Sequence, residues 1–396
     1  MAKVFQVLTL NKISPVGLKH LPVGRYQVGD KLAQPDAILV RSQNMLDMEI
    51  APTVLAIARA GTGTNNIPVK KMSERGVPVF NAPGANSNAV KELVITCMLL
   101  ASRNIVPALH FTAGLKGDAA AMHKLVEDGK KAYAGTELRG RALGVVGLGA
   151  VGRQVADAAI GLGMQVIGYD PNISVDAAWS ISAQVKKAHS IEELLKHSDF
   201  VTLHVPLLDA TRNLIDARHV AAMKSGAVLL NFARDAIVDE DAVLAGLASK
   251  HLRCYVCDFP TPKTQGNPGV IALPHLGAST QEAEENCAVM AVEQLRDYLE
   301  HGNVVNTVNF PNLTMPRESS FRVAIANANV PNMLGQISTA LAKAGINIHN
   351  MTNKSRGDVA YTLVDTDSAL PDPLVAQIAA IPGVLMVRAL PLEADE

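Results

Sequence analysis

Gly147-Leu148-Gly149-Ala150-Val151-Gly152 constrains the fold of this chain more than any other segment. It follows the apolar run Ala142–Val146 and opens an amphipathic stretch, which predicts strand, glycine turn and helix through Gly161. The first glycine permits a tight turn, the second lets the backbone approach a pyrophosphate, and the third packs helix against strand. The helix N-terminus then offers free N–H groups and a positive dipole to an anion. Asp170 ends the next expected strand, Gln165–Tyr169. A carboxylate there accepts hydrogen bonds from the adenosine ribose hydroxyls and repels a 2′-phosphate. The pattern predicts a dinucleotide site on Gly147, Gly149, Ala150, Val151, Gly152 and Asp170, with NAD favoured over NADP.

Short apolar runs alternate with helical patterns on both sides of this motif. Strands are expected at Phe5–Leu10, Ala37–Val40, Val54–Ala58 and Val77–Phe80, then a helix from Asn86 to about Arg103 and a polar stretch, Lys116–Arg141. Further strands are expected at Phe200–His204, Ala227–Asn231, Arg253–Asp258 and Val270–Ala272, with helices Ile191–Lys196 and Glu240–Ser249. Ser279–Glu282 resembles a capping box opening a long helix to about Glu300. Strands alternating with helices predict doubly wound parallel sheets, an α/β class. The composition agrees: 48% hydrophobic residues but only 4% aromatic ones make an aliphatic core, as a sheet covered on both faces requires.

A net charge of −1 argues against nucleic-acid or anionic-membrane partners. Four cysteines in 396 residues are no disulfide framework. Cys254-x-x-Cys257 falls on a strand, where positions three apart face opposite ways, and no second Cys/His pair has zinc spacing. No metal is expected. Val4–Leu10 reads as a first strand rather than a signal peptide, and no apolar run reaches membrane-spanning length, so the expectation is a cytoplasmic protein.

Pro311–Ser319 reads as a linker. After it the pattern restarts: strand Phe321–Ala326, helix Asn332–Ala344, strands Ile346–Met351 and Val359–Val364, helix Pro373–Ala380, strand Leu385–Arg388. This β-α-β-β-α-β order predicts an autonomous ferredoxin-like module.

Two further motifs carry chemistry. Asn231-Phe232-Ala233-Arg234 closes one expected strand, and Pro274-His275-Leu276-Gly277-Ala278-Ser279-Thr280 lies between another and the long helix. An imidazole titrates near neutrality and can take or return a hydroxyl proton, which makes His275 the candidate acid/base. Arg234 can fork onto a carboxylate, a geometry lysine cannot copy.

With the glycine motif and Asp170, these segments resemble the D-isomer-specific 2-hydroxyacid dehydrogenases over roughly the first 310 residues. Arg41-Ser42-Gln43, Asn81–Asn86 and Val90-Lys91-Glu92-Leu93 resemble that family's substrate-domain segments. The tail resembles an ACT regulatory domain. The resemblance implies a substrate domain at 1–97 and 283–312, an NAD-binding Rossmann domain at 98–282 and an ACT domain at 320–396. It implies catalysis by Arg234 and His275 with Asp258 as orienter, and substrate contacts from Arg41, Ser42 and Asn86. Further cofactor contacts would come from His204, Phe232, Ala233, Arg234, Asp258 and His275. With the ACT tail it implies D-3-phosphoglycerate as substrate, oxidised to 3-phosphohydroxypyruvate as the first step of L-serine biosynthesis. L-Serine would be an effector held by Asn329 and Asn347, and the protein a homodimer or homotetramer. The alternatives are a glyoxylate, hydroxypyruvate or other 2-keto acid reductase, and a catalytically weak NAD(H)-sensing protein.

The chain departs from the family at one point. Where members place a glutamate that keeps the catalytic histidine basic, this sequence reads Cys257-Asp258-Phe259-Pro260-Thr261-Pro262-Lys263. Asp258 is the nearest carboxylate in the motif and Asp235 a weaker substitute. The expectation is a pH–rate profile displaced by the loss.

Overall fold

The computed structural model describes residues 3–391. The chain divides into two compact units, Met1–Asn86 with Gln281–Glu396, and Ser87–Thr280. Helix Ser87–Ser102 lies wholly in the second, so the sequence-based boundary at 97/98 would have cut a continuous helix. No single helix among the described residues is long and apolar enough to cross a membrane.

In the first unit, strands β1 (Phe5–Leu10), β2 (Tyr26–Gly29), β3 (Ala37–Val40), β4 (Ala56–Arg59) and β5 (Val79–Phe80) pair in the order β2-β1-β3-β4-β5. All the pairings are parallel. Strand β3 is buried along its whole length, which explains its unbroken aliphatic sequence. Order reverses between β1 and β3, so the loops after these strands flank a topological switch point.

The second unit holds β6 (Ala142–Val146), β7 (Gln165–Tyr169), β8 (Val185–Lys187), β9 (Phe200–Leu203), β10 (Ala227–Asn231), β11 (Leu252–Cys257) and β12 (Val270–Ala272). Their order is β12-β11-β10-β9-β6-β7-β8, again parallel. The chain winds outward from β6 through β8, then restarts at β9 on the other side of β6. The two sheet faces are covered by separate aliphatic clusters. Cys97 and Cys254 belong to one and Cys257 to the other, so the Cys-x-x-Cys pair is split across the sheet. Burial pushes the Cys97 and Cys254 thiols up to about 12, which leaves them unreactive.

The polar stretch after residue 116 is not irregular. The Asp118 side chain accepts from Ala121 N–H and caps a helix, Ala119–Gly129, beside a second one, Ile105–Ala113. Neither buries a residue, and Leu109, Met122 and Leu125 are exposed. Apart from the Phe111 ring, 5.2 Å from that of Tyr133, their apolar positions find little cover inside the unit, so the stretch reads in sequence only as polar.

In the tail, β13 (Phe321–Ala328), β14 (Ile348–Arg356), β15 (Val359–Thr366) and β16 (Val384–Pro391) form an antiparallel sheet in the order β14-β15-β13-β16. Helices Met333–Lys343 and Asp372–Ala379 complete the expected ferredoxin-like arrangement, which fits an ACT-like domain.

The tail is not autonomous, however. Ala324, Tyr361, Leu363 and Leu390 share one apolar cluster with Phe80, Tyr298 and Phe310. Helix Gln281–His301 ends against the tail, and tail and linker side chains take its orphan carbonyls. Arg388 donates to Tyr298 O and Leu299 O, Arg317 to Glu300 O, Arg322 to His301 O, and Tyr361 Oη to Gly302 O. Arg322 also forks onto Asp365 at 2.6 and 2.9 Å, with neither side chain exposed. Burial works to raise the Asp365 carboxyl, but the bonds from Arg322 and Glu318 N–H hold it below the usual range. The expected linker is pinned as well: Leu313 and Met315 are buried, and Leu313 bridges Val304. Sequence polarity suggested a tether; packing makes it part of the core.

Candidate active site

Every candidate residue of the second unit follows the carboxyl end of a parallel strand: Gly147 after β6, Asp170 after β7, His204 after β9, Phe232–Arg234 after β10, Asp258 after β11 and His275 beyond β12. Ligands bind at this end of such sheets.

The glycine turn has the geometry its residues demand. Gly147 has φ +90°, and a Cβ on it would stand 2.5 Å from His204 O, across the switch between β6 and β9. A Cβ on Gly152 would meet Gly147 O at 1.9 Å. Gly149 is the N-cap of helix Ala150–Gly161 and has nothing within 4 Å of where its Cβ would be, so the backbone lies open to a ligand. Asp170 Oδ2 accepts from Leu148 N–H at 2.9 Å and Oδ1 from Asn172 N–H at 3.0 Å. The carboxylate is thereby locked to the glycine turn.

His204 bonds Thr202 Oγ1 through Nε2 at 2.9 Å. Burial of the ring pushes its pKa down to about 3, so it is neutral at physiological pH. That state suits a wall of the cofactor crevice better than proton transfer.

After β10, the buried side chain of Asn231 holds the turn from both ends. Its Nδ2 donates to Arg234 O at 2.8 Å, and its Oδ1 accepts from Ala233 N–H at 3.1 Å. Arg234 is partly exposed, and its Nη1 reaches Ala233 O at 2.6 Å. Asp258 is buried. Burial pushes its carboxyl up, while His275, the Gly277 N–H and Arg234 pull it down. The second unit thus brings Arg234, Asp258 and His275 into one electrostatic neighbourhood. Asp258 Oδ1 is buried without a partner among the described residues, an acceptor open to an incoming N–H donor. Asp235 is exposed and caps nothing at His275.

Lys263, at the place of the missing glutamate, turns away and pairs with Asp241 at 2.6 Å. His275 itself is exposed, with the Phe259 ring edge-on to it at 5.2 Å.

Arg41 and Ser42 follow β3 in the first unit, and Asn86 is the last residue of its N-terminal segment. Arg41 Nη2 pairs with Glu284 at 2.7 Å, and Arg59 Nε donates to Arg41 O at 2.9 Å. Asn11, with φ +70°, accepts from Ser42 N–H at 3.0 Å and Gln43 N–H at 2.6 Å. Thr62 Oγ1 lies 3.3 Å from Asn86 Oδ1. Lys91, in the second unit, is mostly covered and 3.6 Å from Glu92.

In the tail, Asn329 lines a cavity of about 240 Å³ with Asn327, Asn332 and Asn353. Asn332, which precedes helix Met333–Lys343, adopts φ +63°, a left-handed conformation that asparagine tolerates. Asn347 is not among the lining residues; its N–H bonds Asp367.

Comparison with known proteins agrees with this geometry. Residues 96–277 match the NAD-binding domain of the D-isomer specific 2-hydroxyacid dehydrogenases. A D-3-phosphoglycerate dehydrogenase of Escherichia coli is 32% identical over 380 residues, covering 92% of this chain and 89% of that one. The chain belongs to the D-3-phosphoglycerate dehydrogenase family. The homologous dehydrogenase of Methanocaldococcus jannaschii is 36% identical over 80% of this chain, which spans 59% of that relative's length. An NAD⁺-bound 3-phosphoglycerate dehydrogenase from Entamoeba histolytica superposes with a TM-score of 0.61 at 26% identity, covering 78% of this chain and all of that one. NAD is the cofactor of this dehydrogenase, and the open Gly149 backbone with the unpartnered Asp258 Oδ1 fits it.

Two positioning residues of this dehydrogenase escaped the sequence reading. Asn231 was visible within its motif, but the two bonds that make it a brace needed the folded turn. Asn11 had a weaker signal, an asparagine just after an expected strand, and only topology places it against Ser42.

Proposed function

We propose that this protein oxidises D-3-phosphoglycerate to 3-phosphohydroxypyruvate with NAD, the first step of L-serine biosynthesis. The convergence of Arg234, Asp258 and His275 at the strand ends of an NAD domain carries the reading. The family supports the substrate, since its relatives bear the name D-3-phosphoglycerate dehydrogenase over most of the chain.

When bound, NAD accepts the hydride from C2 of the substrate. His275 takes the C2 hydroxyl proton at a ring nitrogen and returns it in the reverse direction. Arg234 grips the substrate carboxylate and polarises the C2 oxygen. Asp258, held by the Gly277 N–H, stabilises the imidazolium, and its unpartnered Oδ1 would be available to a donor of the bound cofactor. Gly147, Gly149, Ala150, Val151 and Gly152 would hold the pyrophosphate of the cofactor and Asp170 its ribose, with His204, Phe232 and Ala233 lining the crevice. Arg41, Ser42 and Asn86 hold the anionic substrate ends.

Regulation and assembly complete the proposal. Asn329 and its three neighbouring amides form a small polar cavity of the size an amino acid needs, which supports an L-serine effector there. Asn347 has less support. The helices Ile105–Ala113 and Ala119–Gly129, which have no buried residue, support a homo-oligomer in which a second copy covers Leu109 and Leu125. Residence in the cytoplasm agrees with four buried free cysteines.

The deciding experiment is NADH oxidation with 3-phosphohydroxypyruvate, hydroxypyruvate and glyoxylate in parallel. The proposal expects kcat/KM to favour the phosphorylated substrate by about a hundredfold, roughly 2.7 kcal/mol. Comparable rates would make the protein a general 2-keto acid reductase. NADH binding without turnover would make it a sensor.

A further inference from the structure

General acid/base catalysis needs an imidazole held in one orientation. Within residues 87–280, neither ring nitrogen of His275 hydrogen-bonds another described group, and the side chain is exposed. The segment that leads from Asp258 toward it contains no acidic residue from Phe259 to Pro274. That segment is also pinned elsewhere. Thr261 Oγ1 donates to Glu240, Lys263 pairs with Asp241 at 2.6 Å, and Thr261 N–H bonds Thr264 Oγ1 at 2.9 Å. These contacts tie residues 261–264 to the start of helix Glu240–Ala248.

The same anchoring leaves Phe259 under His275. The two ring centroids are 5.2 Å apart and the planes meet at 66°. Edge-to-face contacts of this geometry are attractive and directional, because the positive edge of one ring meets the negative face of the other. Phe259 is partly buried between the covered Asp258 and the turn.

We propose that Phe259 is the positioning residue of His275: an aromatic contact, in place of a carboxylate hydrogen bond, sets the plane of the catalytic imidazole. Asp258 supplies charge from below and Phe259 supplies orientation. The proposal rests on His275 being the acid/base of the reaction proposed above.

The test compares Phe259→Leu, Phe259→Met and Phe259→Tyr in the full chain. Ring-proton resonances of His275, assigned through His275→Gln, carry the ring-current displacement of a nearby phenyl group. The expected result is a shift of those resonances in Phe259→Leu and Phe259→Met, a fall in kcat of about tenfold in both, and an unchanged Kd for NADH. Phe259→Tyr restores kcat and the displacement. Unmoved resonances, an unchanged kcat, or a loss that tyrosine does not restore would overturn the proposal. Full turnover in His275→Gln would instead remove the acid/base assignment itself, whatever the Phe259 variants do.

Discussion

Gly152 has no Cβ, and the place where one would stand is 1.9 Å from the carbonyl oxygen of Gly147. Helix Ala150–Gly161 therefore touches the turn after β6 at a point where a methyl group cannot be inserted. Gly152→Ala must push the helix N-terminus off the glycine turn. The expected outcome is a loss of about 1–3 kcal/mol of stability from overpacking and at least tenfold weaker NADH binding, read by thermal melts and fluorescence titration. Gly149→Ala meets open space and should leave stability nearly unchanged while weakening the cofactor.

Asp170 is tied to the same turn through Leu148 N–H. Asp170→Ala should raise KM for NAD and narrow the preference over NADP by about tenfold or more, because it removes both the ribose acceptor and the charge that repels a 2′-phosphate. An unchanged NAD/NADP ratio would take Asp170 out of the ribose site.

Asp258→Asn keeps the side-chain volume but removes a charge that His275 and Arg234 both face. A kcat fall of about tenfold to a hundredfold is expected, with a displaced pH–rate profile, since the change removes a carboxyl that burial holds above its ordinary range. Unaltered kcat and profile would show that Asp258 does not act on the histidine.

His204 makes acid stability measurable. Burial lowers its pKa to about 3, below the ordinary value near 6.5. The unfolded chain takes up a proton as pH falls through about 6.5, and the folded chain does so only near 3. Stability present above pH 6.5 is therefore lost as pH falls across that window, at no more than about 1.4 kcal/mol per pH unit. His204→Gln should flatten the denaturation midpoint between pH 6.5 and 4; parallel curves for both proteins would refute the shift.

The Arg322–Asp365 pair locks the tail to helix Gln281–His301. Arg322→Met strands a buried carboxylate and should cost about 3–5 kcal/mol, whereas Arg322→Met with Asp365→Leu should cost less than the single change. Urea denaturation of both variants checks the order. A tail unfolding in a separate transition in the unmutated protein would contradict the shared core.

The sheets, the glycine turn and the ferredoxin-like tail were legible because their signals are local. A buried parallel strand such as Val228-Leu229-Leu230 must be aliphatic, and a pyrophosphate turn must be glycine, whatever surrounds them. The places of Arg234, Asp258 and His275 past the ends of strands were legible for a related reason: each follows an aliphatic run that a polar residue breaks. The helix Ala119–Gly129 was missed because none of its residues is buried within its own unit.

What only the tertiary structure decided is which groups meet. Lys263 stands in sequence where a carboxylate was expected, yet Asp241 draws it away and leaves Phe259 against His275. Residues 311–319 have the composition of a tether, yet Arg322, Arg317 and Arg388 bind the last carbonyls of a helix and make tail and sheet one core. Local sequence dictates strand, turn and helix through covalent geometry and burial. Ring contacts, ion-pair partners and borrowed helix caps depend on the convergence of distant segments, which a linear pattern does not encode.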